Sequence, residues 1–267
     1  MCRLTAYAGT PLPLHALLFG GEHSLFRQSW APREMRTGSV NVDGWGVAWP
    51  GGDGAAGGGG GSVLARLARV EPPWHDPDLP GVLASLSAAR AMAVLRNATP
   101  GLPVDRAGLL PLVQGPWALA LNGYVPGFRE RHMRALRAPL VDRHYARLAG
   151  SSDAETLFLR VLQAMDEGAG PGEALCAVRD AVAARIDGGD YTPLTLVLLG
   201  PSGITALHTA LNGPPNSLYL GRGTSLAPGG TLLASEALTP GEVGWDAVPP
   251  HTIVHVGAGG AVRVEAA

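Results

Sequence analysis

Two groups of short apolar strand-like runs, with most of the helical periodicity gathered between them, constrain this 267-residue chain more than any other feature. In the first group, runs at 40–49 and 62–70 alternate in the manner of half-buried strands. They are followed by a helical stretch at 79–93 leading into a strand at 91–96, and by a strand at 117–122. Helical spacing then dominates at 128–148, 154–167 and 172–185, the second of these opened by Ser151-Ser152-Asp153 as a capping run. Short strands return at 194–199, 204–208, 218–220, 231–235 and 253–256. Helices gathered between two sets of strands point to layered α+β packing and not to a parallel βαβ array. No repeat and no linker composition interrupts the pattern, so a single domain over residues 2–267 is expected. The glycine-rich tract at 51–61 lacks side chains to bury and reads as a flexible loop.

Composition narrows the chemistry. With 46% hydrophobic and 16% charged residues the chain can bury a substantial core. A formal charge of −2 and a pI near 6.4 give no nucleic-acid or anionic-membrane footprint. There is no apolar run long enough for a spanning helix, and the apolar stretch at 12–21 carries Pro13 and His15 without a cleavage pattern. Two cysteines, Cys2 and Cys176, make no disulfide framework, which leads to the expectation of a reduced, cytoplasmic protein. All basic residues are arginine. A P-loop and Schiff-base or pyridoxal chemistry each need a lysine, so both are excluded.

Cys2 is the most reactive feature. The residue after the initiator is small, so removal of Met1 would leave Cys2 at the terminus. A terminal cysteine joins a thiol of ordinary pKa about 8.5 to an α-amine of about 7.7–8.0. That amine can accept the thiol proton, as in an N-terminal threonine nucleophile. Asn122-Gly123 ends a strand, where it is either an ordinary turn or a pair of donors, one amide side chain and one unhindered N–H, for an oxyanion. Arg96 ends another strand and is suited either to a surface ion pair or to bidentate capture of a carboxylate. Asp153 is either a helix cap or the partner of an ammonium. Cys176, within Ala174-Leu175-Cys176-Ala177-Val178, reads as a structural thiol on a helix. His251 and His255 share a strand face but stand roughly 13 Å apart, too far to share a zinc ion. No Gly-x-Ser-x-Gly elbow occurs.

Taken in order, Met1-Cys2-Arg3, Asn41-Val42-Asp43-Gly44-Trp45-Gly46-Val47, Arg96-Asn97-Ala98-Thr99, Asn122-Gly123 and Ser152-Asp153-Ala154-Glu155 resemble the class II glutamine amidotransferases, the N-terminal-cysteine branch of the Ntn hydrolases. Further segments resemble the stand-alone hydrolases of ergothioneine biosynthesis within that group. These are His23-Ser24-Leu25, the run from Arg27 to Arg33, Asn216-Ser217-Leu218-Tyr219, Ala234-Ser235-Glu236, and Trp245 followed by Val248-Pro249. The resemblance implies an αββα four-layer sandwich and a γ-glutamyl amide substrate attacked by Cys2 to give a thioester. It implies an oxyanion hole from Asn122 and the Gly123 N–H. Arg96, with Thr99 beside it, would hold the glutamyl carboxylate, and Asp153 the ammonium. In the ergothioneine branch the amine released is hercynylcysteine sulfoxide. Neither metal nor cofactor is implied, the partner is the small-molecule substrate, and a homo-oligomer is left open.

Three positions depart from the pattern: Leu121 stands where a histidine is usual, Asn97 where serine is expected, and Trp45 where phenylalanine is common. In a strand Leu121 points away from Asn122, which suits core packing. A glutathione-type γ-glutamyl peptide, or glutamine whose ammonia feeds a separate partner, competes as substrate within the same class, and a non-catalytic scaffold that binds a partner, with a vestigial Cys2, is the reading from another class. A hercynyl group carries a permanent trimethylammonium cation, which calls for an aromatic face or a carboxylate. Of Trp30, Trp45 and Trp74, Trp30 is expected, partly exposed, at the mouth of the Cys2 site.

Overall fold

A computed structural model describes residues 1–51, 63–98 and 104–267. The tract expected as a flexible loop, Gly51 apart, and Thr99 lie outside the described residues.

The strands are β1 (Arg3–Pro13), β2 (Trp45–Pro50), β3 (Leu64–Arg69), β4 (Ser87–Leu95), β5 (Leu112–Gln114), β6 (Trp117–Gly123), β7 (Thr192–Gly200), β8 (Gly203–Leu211), β9 (Tyr219–Arg222), β10 (Gly230–Ala234), β11 (Trp245–Ala247), β12 (Thr252–Gly257) and β13 (Val262–Ala266). They form two antiparallel sheets. The first has the order β11-β9-β10-β1-β4-β2-β3 and the second β13-β12-β8-β7-β6-β5. The helices are α1 (His15–Phe19), α2 (Leu25–Gln28), α3 (Leu79–Ala84), α4 (Met133–Arg137), α5 (Asp142–Tyr145), α6 (Asp153–Asp166) and α7 (Pro171–Ala183).

Period-two alternation along β1 explains the layering. Leu4, Ala6 and Ala8 face the second sheet, in a core shared with Leu119, Leu196 and Leu207 and continued to Phe158 of α6 and Leu175 of α7. Tyr7 faces the other way, with Leu17 and Leu18 of α1, Leu25 of α2 and Leu83 of α3. Each sheet is therefore covered on its outer face by helices, and the order is helix, sheet, sheet, helix: the αββα sandwich. Each fully buried leucine contributes about 1.5–3 kcal/mol of transfer free energy, which favours closing both faces. Among the described residues no helix is long and apolar enough to cross a membrane.

The structure corrects the sequence reading at several elements. Strands β1, β5, β11 and β13 and the short helices α1 and α2 were not anticipated; in β1, Pro11 and Pro13 obscure the alternation. The helix expected over 79–93 ends at Ala84, and Ser87 already belongs to β4. The alanines there favour helix locally, but β4 is paired with β1 on one side and β2 on the other, and that burial prevails. The helix expected over 128–148 is broken into a π turn at Phe128–His132, α4 and α5. Pro139 lies between the last two and supplies no N–H for a continuous ladder.

Candidate active site

The register of β1 against β4 builds the site. Arg3 pairs with Leu95, so one step further Cys2 stands beside Arg96, and its thiol faces the carbonyl of Asn97 at 3.7 Å. The Arg96–Ala98 stretch is held by the preceding turn: the Arg96 N–H donates to the Gly44 carbonyl at 2.8 Å, and the Ala98 N–H to Asp43 Oδ2 at 2.7 Å. Gly44 has φ +112°, and a Cβ there would meet the Arg69 carbonyl at 2.7 Å. These contacts account for the Asp43-Gly44 pair in the sequence motif.

On the opposing sheet, β6 runs straight through Asn122 and ends at Gly123. There is no turn at this pair, contrary to one of the two readings of Asn122-Gly123. Glycine is required for space: a Cβ at 123 would lie 1.8 Å from the Pro193 carbonyl. The Tyr124 N–H donates to that same carbonyl at 3.2 Å. Since paired residues alternate in an antiparallel ladder, Gly123, opposite Leu194, falls in the non-bonded pair and turns its N–H away from β7. Asn122 is fully buried. Asn216 Nδ2 donates to the Asn122 carbonyl at 3.0 Å and to its Oδ1 at 3.1 Å. That second bond sets the amide orientation, leaving Nδ2 only a long contact of 3.5 Å to Ser235 Oγ.

Asp153 opens α6 beneath these strands. Ser152 caps the helix by accepting from the Glu155 N–H at 3.2 Å, so Asp153 is not the cap. Its carboxylate accepts from the Val125 N–H at 2.9 Å and the Ala154 N–H at 2.8 Å. Burial pushes the Asp153 carboxyl above the ordinary carboxylate range, against the pull of these N–H groups and of the Arg96 guanidinium.

Cys2, Arg96, Gly123 and Asp153 line one inner cleft with Asn97, Gly108 and Leu121. Leu121 alternates with Asn122 along β6 and is itself on the wall of this cleft; Asn122 is not among the lining residues, and its amide lies against Asn216 and Ser235. The cleft holds about 20 Å³, room for roughly one water, so a larger group enters only if its walls part. An outer cavity of about 350 Å³ shares Asn97 and Gly123 with it and is otherwise lined by Met1, Thr37, Gly38, Tyr124 and Pro126, among others. The Met1 amine donates to the Thr37 carbonyl at 3.0 Å, and burial lowers its pKa below the ordinary α-amine value.

Trp30 is 47% exposed, but it is not among the residues lining either cavity. It stacks edge-on against Phe26 and Trp74, with ring centroids 5.0 and 5.8 Å apart, on the outer helical layer. This corrects the expectation that Trp30 lies at the mouth of the site; Tyr124 is the aromatic residue on the outer cavity. Cys176 is partly buried on α7, and burial raises its thiol pKa. His251 bonds to Thr209 Oγ1 at 2.9 Å and His255 to Glu265 at 2.9 Å, away from each other.

Sequence reasoning assigned no role to a buried cluster behind Cys2. Alternation turns Arg3 to the opposite side of β1 from Cys2. There it is fully buried and donates from Nε to the Cys2 carbonyl at 3.0 Å and from Nη1 to Glu236 Oε1 at 3.1 Å. Glu236 also accepts from His23 Nε2 at 2.6 Å and from the N–H groups of Arg33 and Glu34 at 2.9 and 3.2 Å. The available signal was that Arg3, His23 and Glu236 each stand in one of the segments that carry the resemblance; all three are buried.

No protein-family profile matches the chain. It is 28% identical over 258 residues, 96% of either chain, to a curated protein named gamma-glutamyl-hercynylcysteine sulfoxide hydrolase from Mycolicibacterium smegmatis. A protein of the same name from Mycobacterium tuberculosis is 33% identical over 125 residues, 47% of this chain and 50% of that one. Among solved structures, a "glutamine aminotransferase class-II domain protein" from Silicibacter pomeroyi matches with TM-score 0.68 and 20% identity over 99% of both chains. Glutamine phosphoribosylpyrophosphate amidotransferase from B. subtilis matches with TM-score 0.63 and 15% identity, covering 99% of this chain and 49% of that one. The chain therefore has the Ntn-hydrolase fold of the class II glutamine amidotransferases, and its curated homologues are gamma-glutamyl-hercynylcysteine sulfoxide hydrolases.

Proposed function

We propose that this chain is an amidohydrolase that cleaves a γ-glutamyl amide with Cys2 as nucleophile, once Met1 has been removed, and that its substrate is the γ-glutamyl conjugate of hercynylcysteine sulfoxide. The observation that carries the reading is the inner cleft. A thiol, a guanidinium, a carboxylate and a strand-end N–H come from four distant segments and meet there. A guanidinium and a buried carboxylate side by side suit the α-carboxylate and α-ammonium of a glutamyl group. The full-length similarity to a hydrolase of that substrate supports the choice of amine.

In the proposed reaction the freed α-amine of Cys2 takes the thiol proton and Sγ attacks the γ-carbonyl carbon. We assign the oxyanion to the Gly123 N–H, which the ladder leaves available, and to Asn122 Nδ2, whose amide shares the Asn216 Nδ2 contact with Met1 Sδ and comes within reach of the site when Met1 is removed. The C–N bond breaks as the ammonium returns its proton to the leaving amine, leaving a γ-glutamyl thioester on Cys2. Water, deprotonated by the same amine, attacks the thioester carbonyl; glutamate leaves and the thiol is restored. Arg96 and Asp153 hold the glutamyl end through both halves.

Glutamate release from glutamine, glutathione and γ-glutamyl hercynylcysteine sulfoxide, at equal concentration, tests the assignment. The expected order places the sulfoxide conjugate first by kcat/KM. Preference for glutamine or glutathione would replace the substrate while keeping the chemistry, and no release from any of the three would refute the amidohydrolase reading.

A further inference from the structure

A second cavity, of about 480 Å³, lies across the segment at 33–38 from the outer cavity. Arg33, Glu34 and Arg36 line it on one side of that segment, whereas Thr37 and Gly38 line the outer cavity on the other. Met1 sits at the junction. Its amine is bonded to the Thr37 carbonyl, and its Sδ lies 3.1 Å from Nδ2 of Asn216, a residue on the wall of the larger cavity. The larger cavity is furnished for a polar ligand. The Asn216 Oδ1 and Ser217 Oγ atoms are buried on its wall without a hydrogen-bond partner among the described residues. At the rim, both oxygens of Glu34 accept from the Tyr219 hydroxyl, at 3.0 and 2.9 Å.

We propose that the Met1 side chain separates the two cavities and that its excision joins them into the binding site for the amine half of the substrate. This rests on the amidohydrolase reading above. The amine half of a hercynylcysteine sulfoxide conjugate is a betaine: a fixed trimethylammonium cation with carboxylates and a sulfoxide. The cation cannot donate a hydrogen bond, and it takes the Glu34 carboxylate and the Tyr219 ring. The carboxylates take the Arg33 and Arg36 guanidinium groups. The released amine donates to Asn216 Oδ1, which is buried without a partner among the described residues. Glutamine, whose leaving group is ammonia, reaches none of these. Removal of Met1 thus has two effects, freeing the catalytic amine and admitting the large leaving group.

Two measurements test this. The first is the ratio of kcat/KM for the betaine conjugate to that for glutamine, in wild type, Glu34→Gln, Tyr219→Leu and the double variant. Each single change is expected to lower the ratio roughly three- to five-fold and the double about ten-fold or more, the scale of exposed cation contacts. An unchanged ratio in the double variant overturns the assignment of this cavity. The second is calorimetric binding of hercynylcysteine sulfoxide itself to Cys2→Ala protein, prepared with and without an inhibitor of methionine aminopeptidase and checked by intact mass. Tight binding only to the form lacking Met1 is expected; equal binding to both forms overturns the proposed barrier. The binding arm needs no turnover, so a failure of hydrolysis would count against the amidohydrolase reading and leave the cavity proposal to be decided by binding.

Discussion

Replacing Glu236 should damage stability and turnover together, because one carboxylate holds both the core and the backbone of Cys2, the proposed nucleophile. Its Oε1 accepts from Arg3 and the Glu34 N–H, and its Oε2 from His23 and the Arg33 N–H. A carboxylate only accepts, so His23 carries its proton on Nε2. In Glu236→Ala the fully buried Arg3 guanidinium keeps only its bond to the Cys2 carbonyl among the bonds described here, and His23 loses its Nε2 partner. Breaking one side of a buried pair costs about 3–5 kcal/mol. For a domain near this size each kcal/mol lowers Tm by about 2–4 °C, so the expected fall is roughly 6–20 °C. Glu236→Gln retains one acceptor oxygen but presents an NH₂ to donors, and should fall between alanine and wild type. Because Arg3 anchors the Cys2 carbonyl, a displacement there of about 1 Å is enough to lower turnover about 100-fold. Thermal denaturation and kcat, measured on the same samples, check both halves. Glu236→Gln within 2 °C of wild type, about the instrument-scale effect of a sub-kcal change, and with unchanged kcat would refute the reasoning.

Further outcomes follow from the same geometry. Asn122→Ala should lower kcat by roughly 10²–10³, the usual loss of one oxyanion donor, with the fold retained by circular dichroism. Gly123→Ala should be poorly folded as well as inactive, because its Cβ would stand 1.8 Å from the Pro193 carbonyl; a soluble variant with native Tm would contradict the β6–β7 packing. Asp153 should place the acid limb of kcat/KM above the ordinary carboxylate range, since burial raises its pKa and only the ionised form holds an ammonium. By linkage its contribution to stability has the sign of a raised pKa: present in full below the unfolded value and lost as pH rises through the folded one. An acid limb that Asp153→Asn leaves unmoved would assign it to another group.

The layered architecture was legible because strand alternation and helical spacing survive in most of the chain. The candidate site was legible as a meeting of element ends, which the structure brings to one cleft: Cys2 before β1, Arg96 after β4, Gly123 closing β6 and Asp153 opening α6. What stayed hidden has physical causes. An alanine-rich strand such as β4 carries a helical preference that only its two neighbours overrule. Arg3, Glu236 and His23 are far apart in sequence, and nothing local announces that one carboxylate will collect them. Trp30 had the right chemistry for a cation and the right exposure, but α2 hands it to Phe26 and Trp74 on the outer layer. The Asn122-Gly123 pair read either as a turn or as oxyanion donors, and only the register opposite Pro193 and Leu194 removes the turn.

The most direct test of the central claim is to catch the acyl intermediate. Protein lacking Met1, verified by intact mass, is mixed with γ-glutamyl hercynylcysteine sulfoxide, quenched in acid during turnover and digested for peptide mass analysis. One γ-glutamyl group, labile to hydroxylamine as a thioester is, should be found on the peptide beginning at Cys2, and none on the peptide bearing Cys176. The same group on Cys176, or full turnover by Cys2→Ala or by protein that retains Met1, would contradict the account.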